Sequence, residues 1–231
     1  MNPLVAGFYL LWLVLTLAFL VNDTMGLVTA ELNWVLRPLP LVLLACWVFF
    51  QWPAEQKRRL SLPVGVLIFA GAGVAAQMPE HFTLAMILSL CGYLAYLTWA
   101  AQTVAMGYLR WLLMIPVVLG ALLAGNGLWT VSTMIHEALV VYITVVTLFV
   151  AAVLLCSRVH WIAIPGAILL ALSEWLTGYN AFIGGGPNAG VYALLAWYGG
   201  HFLVLHAPLW YQPPLTTPFG YALDHEEEAP G

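Results

Sequence analysis

Apolar residues run along this chain in long stretches, divided by short clusters of Gly, Pro and polar residues. A helix crossing a hydrocarbon core needs about 20 such residues, with a range of roughly 17 to 25. Eight stretches meet or approach that length, near 4–21, 35–51, 62–78, 82–102, 109–124, 134–156, 160–178 and 189–207. The pattern predicts an all-α integral membrane bundle of eight transmembrane helices in one domain, residues 1–207. Beyond it, the Pro-rich "APLWYQPPLTTPFG" reads as an exit segment leading into a disordered tail over 208–231, where "DHEEE" is the one charge run.

Composition strengthens the membrane assignment. Of 231 residues, 63% are hydrophobic and 7% charged, too few charges for a water-soluble domain of this size. The opening "MNPLVAGFYLLWLVLTLAFLV" lacks a basic leader and a small-residue cleavage site, so it is expected to stay as the first span. Cys46, Cys91 and Cys156 fall inside apolar runs and read as small hydrophobes rather than a disulfide framework. No His/Cys cluster has zinc-site spacing, so no metal and no cofactor are expected. The net charge of -4, with scattered cations, argues against nucleic acid.

The cations also orient the chain. Lys57, Arg58 and Arg59 follow span two, Arg110 follows span four and Arg158 follows span six, all on one side of an eight-span path. The positive-inside rule makes that side cytoplasmic and places both termini there. A seven-span path scatters the same cations over both faces.

Ionisable residues at membrane depth are costly and mark functional sites by default. Here they are Arg37, His136, Glu137, Glu174 and His201. At a helical rise of roughly 1.5 Å per residue, the first four fall in the outer half of the membrane and His201 nearer its middle. Glu174 shares a stripe with Ala167, Ala171, Gly178 and Ala181, and small residues let membrane helices approach closely, so the acid is expected to face the bundle interior. Apolar surroundings disfavour its ionised form unless a cation such as Arg37 offsets them, which leaves a proton-holding acid and a stabilised carboxylate both open. Structural roles stand beside these. Arg37 suits a snorkelling helix-end cation, His136 and Glu137 an outer helix cap, and His201 an interior hydrogen-bonding residue.

At these residues the chain resembles the YhhN-like family of eight-span membrane proteins, which includes lysoplasmalogenase. The family's second span opens Lys-Pro-Leu, matched by Arg37, Pro38 and Leu39; its seventh carries Gly-Ala, then Ser-Asp, then an aromatic, matched by Gly166, Ala167, Ser173, Glu174 and Phe182. "WYGGHFLV" aligns Trp197, Tyr198 and His201 with the family's Tyr-Tyr-Leu-Ala-Gln, and "ALVVYITVV" aligns Tyr142 with its Val-Tyr segment. One departure stands out: where members carry Gly-Asp in the third span, this chain has Ala72 and Gly73.

The resemblance implies an enzyme of a bacterial inner membrane that cleaves the vinyl ether bond of a lysoplasmalogen with water, giving a fatty aldehyde and a glycerophospho-base. Such a bond hydrolyses when an acid protonates its β-carbon and water captures the resulting oxocarbenium ion. Glu174 suits the general acid. Glu137 is expected to stand in for the missing third-span acid, with His136 or His201 as alternatives, and Arg37 to meet the phosphate or Glu174. Ser173, Tyr142, Tyr198 and His201 are then substrate-binding residues. With an acid missing, the alternative is a non-catalytic membrane protein that binds or moves a lipid or small amphiphile in the same cavity.

Overall fold

The computed structural model describes residues 3–25, 33, 35–51, 61–77, 81–101, 111–129, 136–155, 160–180, 184 and 188–210. Among them are eight long α-helices and no strand: α1 (Pro3–Met25), α2 (Leu39–Gln51), α3 (Ser61–Ala75), α4 (Phe82–Ala100), α5 (Met114–Trp129), α6 (His136–Leu155), α7 (Ala163–Tyr179) and α8 (Ala189–Trp210). Each coincides with one of the eight apolar stretches. The main shifts are in α2, which starts four residues later than its stretch, and α5, which is displaced by five towards the C-terminus. Proline explains both. Pro38 lies in a turn and Pro40 in the first turn of α2, while Pro116 occupies the first turn of α5.

Three helices are long and apolar enough to cross a membrane, at Leu4–Asp23, Phe82–Ala100 and Ala138–Leu155; α2, α3 and much of α5 are apolar but shorter. The loop cations Lys57, Arg58, Arg59, Arg110 and Arg158, the residue Cys156 and the tail from 211 onward lie outside the described residues. Cys46 and Cys91 are free and exposed on their helices.

Most consecutive helices pack in pairs, while α4 packs on α6 rather than on α5. Phe8 stacks on Trp47 at 4.1 Å while Asn22 donates to Asn33 at 3.0 Å, which fixes the two ends of α1 against α2. In the α3–α4 pair, side chains fill the hollows left by glycine. Phe69 lies against Gly92, and Tyr96 against Gly65, each so near that an added Cβ would sit under 3 Å from the ring. The α7–α8 pair is closest of all. A Cβ on Gly200 would stand 2.7 Å from Leu170 Cγ and 2.9 Å from the Gly166 carbonyl oxygen, so backbone meets backbone there. With no hydrophobic drive between helices in lipid, such close packing is what holds them together. Helices α2, α3, α4, α6, α7 and α8 contact one another in sequence around the bundle, whereas α5 packs on α6 and lightly on α7, leaving Ile115, Leu119 and Leu122 exposed.

These contacts predict opposite outcomes for two glycines. Gly200→Ala collides with backbone that cannot swing away and costs about 1–3 kcal/mol, whereas Gly120→Ala meets nothing within 4 Å. Thermal melts in detergent should show a clear drop for the first and none for the second.

Candidate functional site

A cavity of about 860 Å³ lies between the helices, with a polar end and an apolar arm. Asp23 from α1, Arg37 just before α2, Ser89 from α4, Tyr142 from α6 and Glu174 from α7 line the polar end. The lining continues along α6 from Leu139 to Leu154, fifteen residues or roughly 22 Å at the helical rise. At the far end, Leu154 meets Ile164 of α7. Leu113, Ile168 and Leu172 line the cavity yet remain exposed, which gives it an apolar mouth on the side of α5 and α7.

Glu174 is the chemical centre of this space. The Tyr93 hydroxyl donates to its Oε1 at 3.1 Å, and Tyr142 forms a second side-chain hydrogen bond to the carboxylate and another to Ser89. Tyr93 Oη also lies 3.4 Å from the Leu170 carbonyl oxygen. That gives its proton two acceptors. When Glu174 is a carboxylate, the phenol donates to it; when Glu174 is protonated, the phenol turns to Leu170 and accepts the acid's proton. Neither state leaves a buried donor stranded. Arg37 is not among the hydrogen-bond partners of Glu174, and among the described residues the acid whose charge acts on it is Asp23. The Arg37 Nε is buried without a partner among the described residues.

The α7 face is built as its small residues suggest, with a division of labour. Ala167 is fully buried beside Gly166 in the contact with α8, while Ala171, Glu174 and Gly178 turn to the cavity. Ser173 lines the cavity and donates to the Ala193 carbonyl oxygen at 2.8 Å, tying α7 to α8.

The other residues singled out from sequence sit as follows. Tyr198 is buried behind the cavity and donates to the Arg37 carbonyl oxygen at 2.7 Å, holding the backbone from which the guanidinium extends. His201 is fully buried away from the cavity lining, with its Nδ1 2.7 Å from Tyr96 Oη and the rings of Phe69 and Trp197 packed on it. The side chains of His136 and Glu137 lie outside the described residues, although both positions open α6. At Gly73 an added Cβ would stand 3.0 Å from Trp197, whose indole fills the space beside it. Among the described residues no group of three His, Cys, Asp or Glu gathers.

Three participants escaped sequence reading: Tyr93, Ser89 and Asp23. The first two did leave a signal. Ser89, Tyr93 and Tyr96 recur at intervals of four and three, a hydroxyl-bearing stripe down one side of an otherwise apolar span.

The model of the YhhN family matches residues 32–207, about three quarters of the chain. The chain belongs to the YhhN family. YhhN proteins include lysoplasmalogenases. Neither a curated protein nor a solved structure matches the chain. The YhhN match takes in Arg37, Tyr93, Tyr142, Ser173 and Glu174, whereas α1, with Asp23, precedes it.

For this YhhN protein, Tyr93→Phe should remove one of the two donors to Glu174 and lower stability by about 1 kcal/mol. Tyr192→Phe, at an exposed position, should leave it unchanged. Parallel melts of the two variants check the difference.

Proposed function

We propose that this protein is a membrane hydrolase that cleaves the vinyl ether bond of lysoplasmalogen, with Glu174 as the proton donor. The observation that carries the reading is one carboxyl, held by two phenols, in a single cavity that is lined by Arg37 and also by a long apolar stretch of α6. An amphiphile with one chain fits that asymmetry, and its vinyl ether, next to the head group, falls at the level of Glu174.

Glu174 gives its proton to the β-carbon of the vinyl ether. The double-bond electrons form the new C–H bond, and the ether oxygen shares the resulting positive charge as an oxocarbenium ion. The Glu174 carboxylate faces that cation and stabilises it. Water adds to the charged carbon and returns a proton to Glu174. The hemiacetal then collapses to a fatty aldehyde and a glycerophospho-base, its hydroxyl proton passing to the departing glycerol oxygen. Arg37, with an unpartnered Nε at the polar end, meets the phosphate. The wider assignment follows the same reading: eight spans, both termini in the cytoplasm, in a bacterial inner membrane.

The second reading is a non-catalytic protein that binds or moves a lipid or small amphiphile. Trp197 favours it, because the indole occupies the space beside Gly73, where related proteins carry an acid.

Purified protein should release fatty aldehyde from a lysoplasmalogen, and Glu174→Gln should lower that release by roughly a hundredfold or more while remaining folded. Full turnover by the mutant would remove Glu174 from the mechanism, and no aldehyde from folded parent protein would leave the binding reading. For the topology, single cysteines at Asn126 and at Arg110 in a Cys-free background should label from opposite sides of intact membranes. Labelling of both from one side would overturn the eight-span path.

A further inference from the structure

Helix α5 packs on α6 and only lightly on α7, and its cavity-facing stripe contains a glycine. Leu113, Pro116, Gly120 and Leu123 recur at intervals of three and four and face the cavity. Gly120 sits in the middle of that stripe, and a Cβ there would meet nothing within 4 Å.

Its depth can be fixed against Glu174. A Cβ on Gly125 would lie 3.7 Å from Ile143 Cδ1, and the residue before Ile143 is Tyr142, which bonds Glu174. Gly125 therefore stands at about the level of the acid. Helix α5 is antiparallel to α6, so Gly120, five residues earlier, lies roughly 7 Å further down the arm. The floor of the arm, at Ile164, is ten residues from Glu174, or roughly 15 Å. Gly120 thus stands about halfway along the apolar arm, opposite Ile168 and Ala171 of α7.

We propose that Gly120 is the specificity-determining residue for chain length: its missing side chain keeps the lower half of the arm open to a long unbranched hydrocarbon chain. The inference rests on the amphiphile-binding cavity described above, and it holds whether or not the bound molecule is hydrolysed. A large side chain at position 120 closes the arm below its midpoint. Short chains end above that point and are unaffected.

The test uses two saturated ether lipids, 1-O-hexadecyl- and 1-O-butyl-glycerophosphocholine, which carry no vinyl bond and so report binding without turnover. Binding to the full-length purified protein is measured by native mass spectrometry for the parent, Gly120→Phe, Gly120→Ala and Leu119→Phe. Leu119 is the adjacent, outward-facing residue and lies outside the cavity lining, so its variant adds the same bulk on the lipid side. Gly120→Phe should weaken the hexadecyl ligand by about tenfold or more relative to the butyl one, and the other two variants should behave as the parent does. Equal binding of both ligands by folded Gly120→Phe, an equal loss of both, or the same chain-length shift in Leu119→Phe would overturn the proposal. Aldehyde release from the matching vinyl ether lipids, read in the same preparations, tests hydrolysis separately. Binding without aldehyde removes the enzyme and leaves the gauge standing.

Discussion

Glu174 sits among packed helices, where a buried carboxyl needs hydrogen-bond partners supplied by the bundle itself. The two phenols of Tyr93 and Tyr142 meet that requirement, and their placement constrains much else. Tyr93 stands on α4, Tyr142 on α6 and the acid on α7, so one hydrogen-bonded group ties three helices. The Tyr93 ring is wedged edge-on against Phe69 of α3, which itself fills the hollow at Gly92. A glycine on α4 thereby helps position a phenol one residue further along the same helix.

The same packing logic makes the cavity. Tight pairs need small residues at their contact, and α3–α4 and α7–α8 obtain them from Gly65, Gly92, Gly166 and Gly200. Where α7 turns from α8 towards α5, the small residues Ala171 and Gly178 continue, but no helix closes on them. Space left by small side chains on one side of a helix becomes a contact, and on the other an opening. The cavity is polar at the end reached by Asp23 and Arg37 and largely apolar along its arm, which matches the polarity of a single-chain amphiphile.

Much of this was legible in the sequence. Length and hydropathy placed all eight helices, because an apolar run of membrane length has few other ways to satisfy its backbone. Glu174 announced itself by its cost, and its inward facing followed from Ala171 and Gly178 at helical spacing. What stayed hidden depends on which helices neighbour which. Nothing local to α4 says that Tyr93 faces Glu174, eighty-one residues away, or that Asp23 at the end of α1 comes beside Arg37. His201 in the last span reads from sequence as an interior hydrogen-bonding residue as well as a ligand group, and the fold buries it against Tyr96 and Phe69.

Gly73 carries the same lesson one step further. Seen along the chain, it is a missing acid, a vacancy for another residue to fill. In the fold there is no vacancy, because Trp197 reaches across from α8 and its ring stands 3.0 Å from where a Cβ would be. The indole in turn packs edge-on against His201, itself bonded to Tyr96. An acid at position 73 therefore requires not one change but a rearranged contact among α3, α4 and α8. The glycine and the tryptophan form a matched pair, and together they make this wall of the site apolar, leaving Glu174 with its two tyrosines as the acid that faces the centre of the cavity.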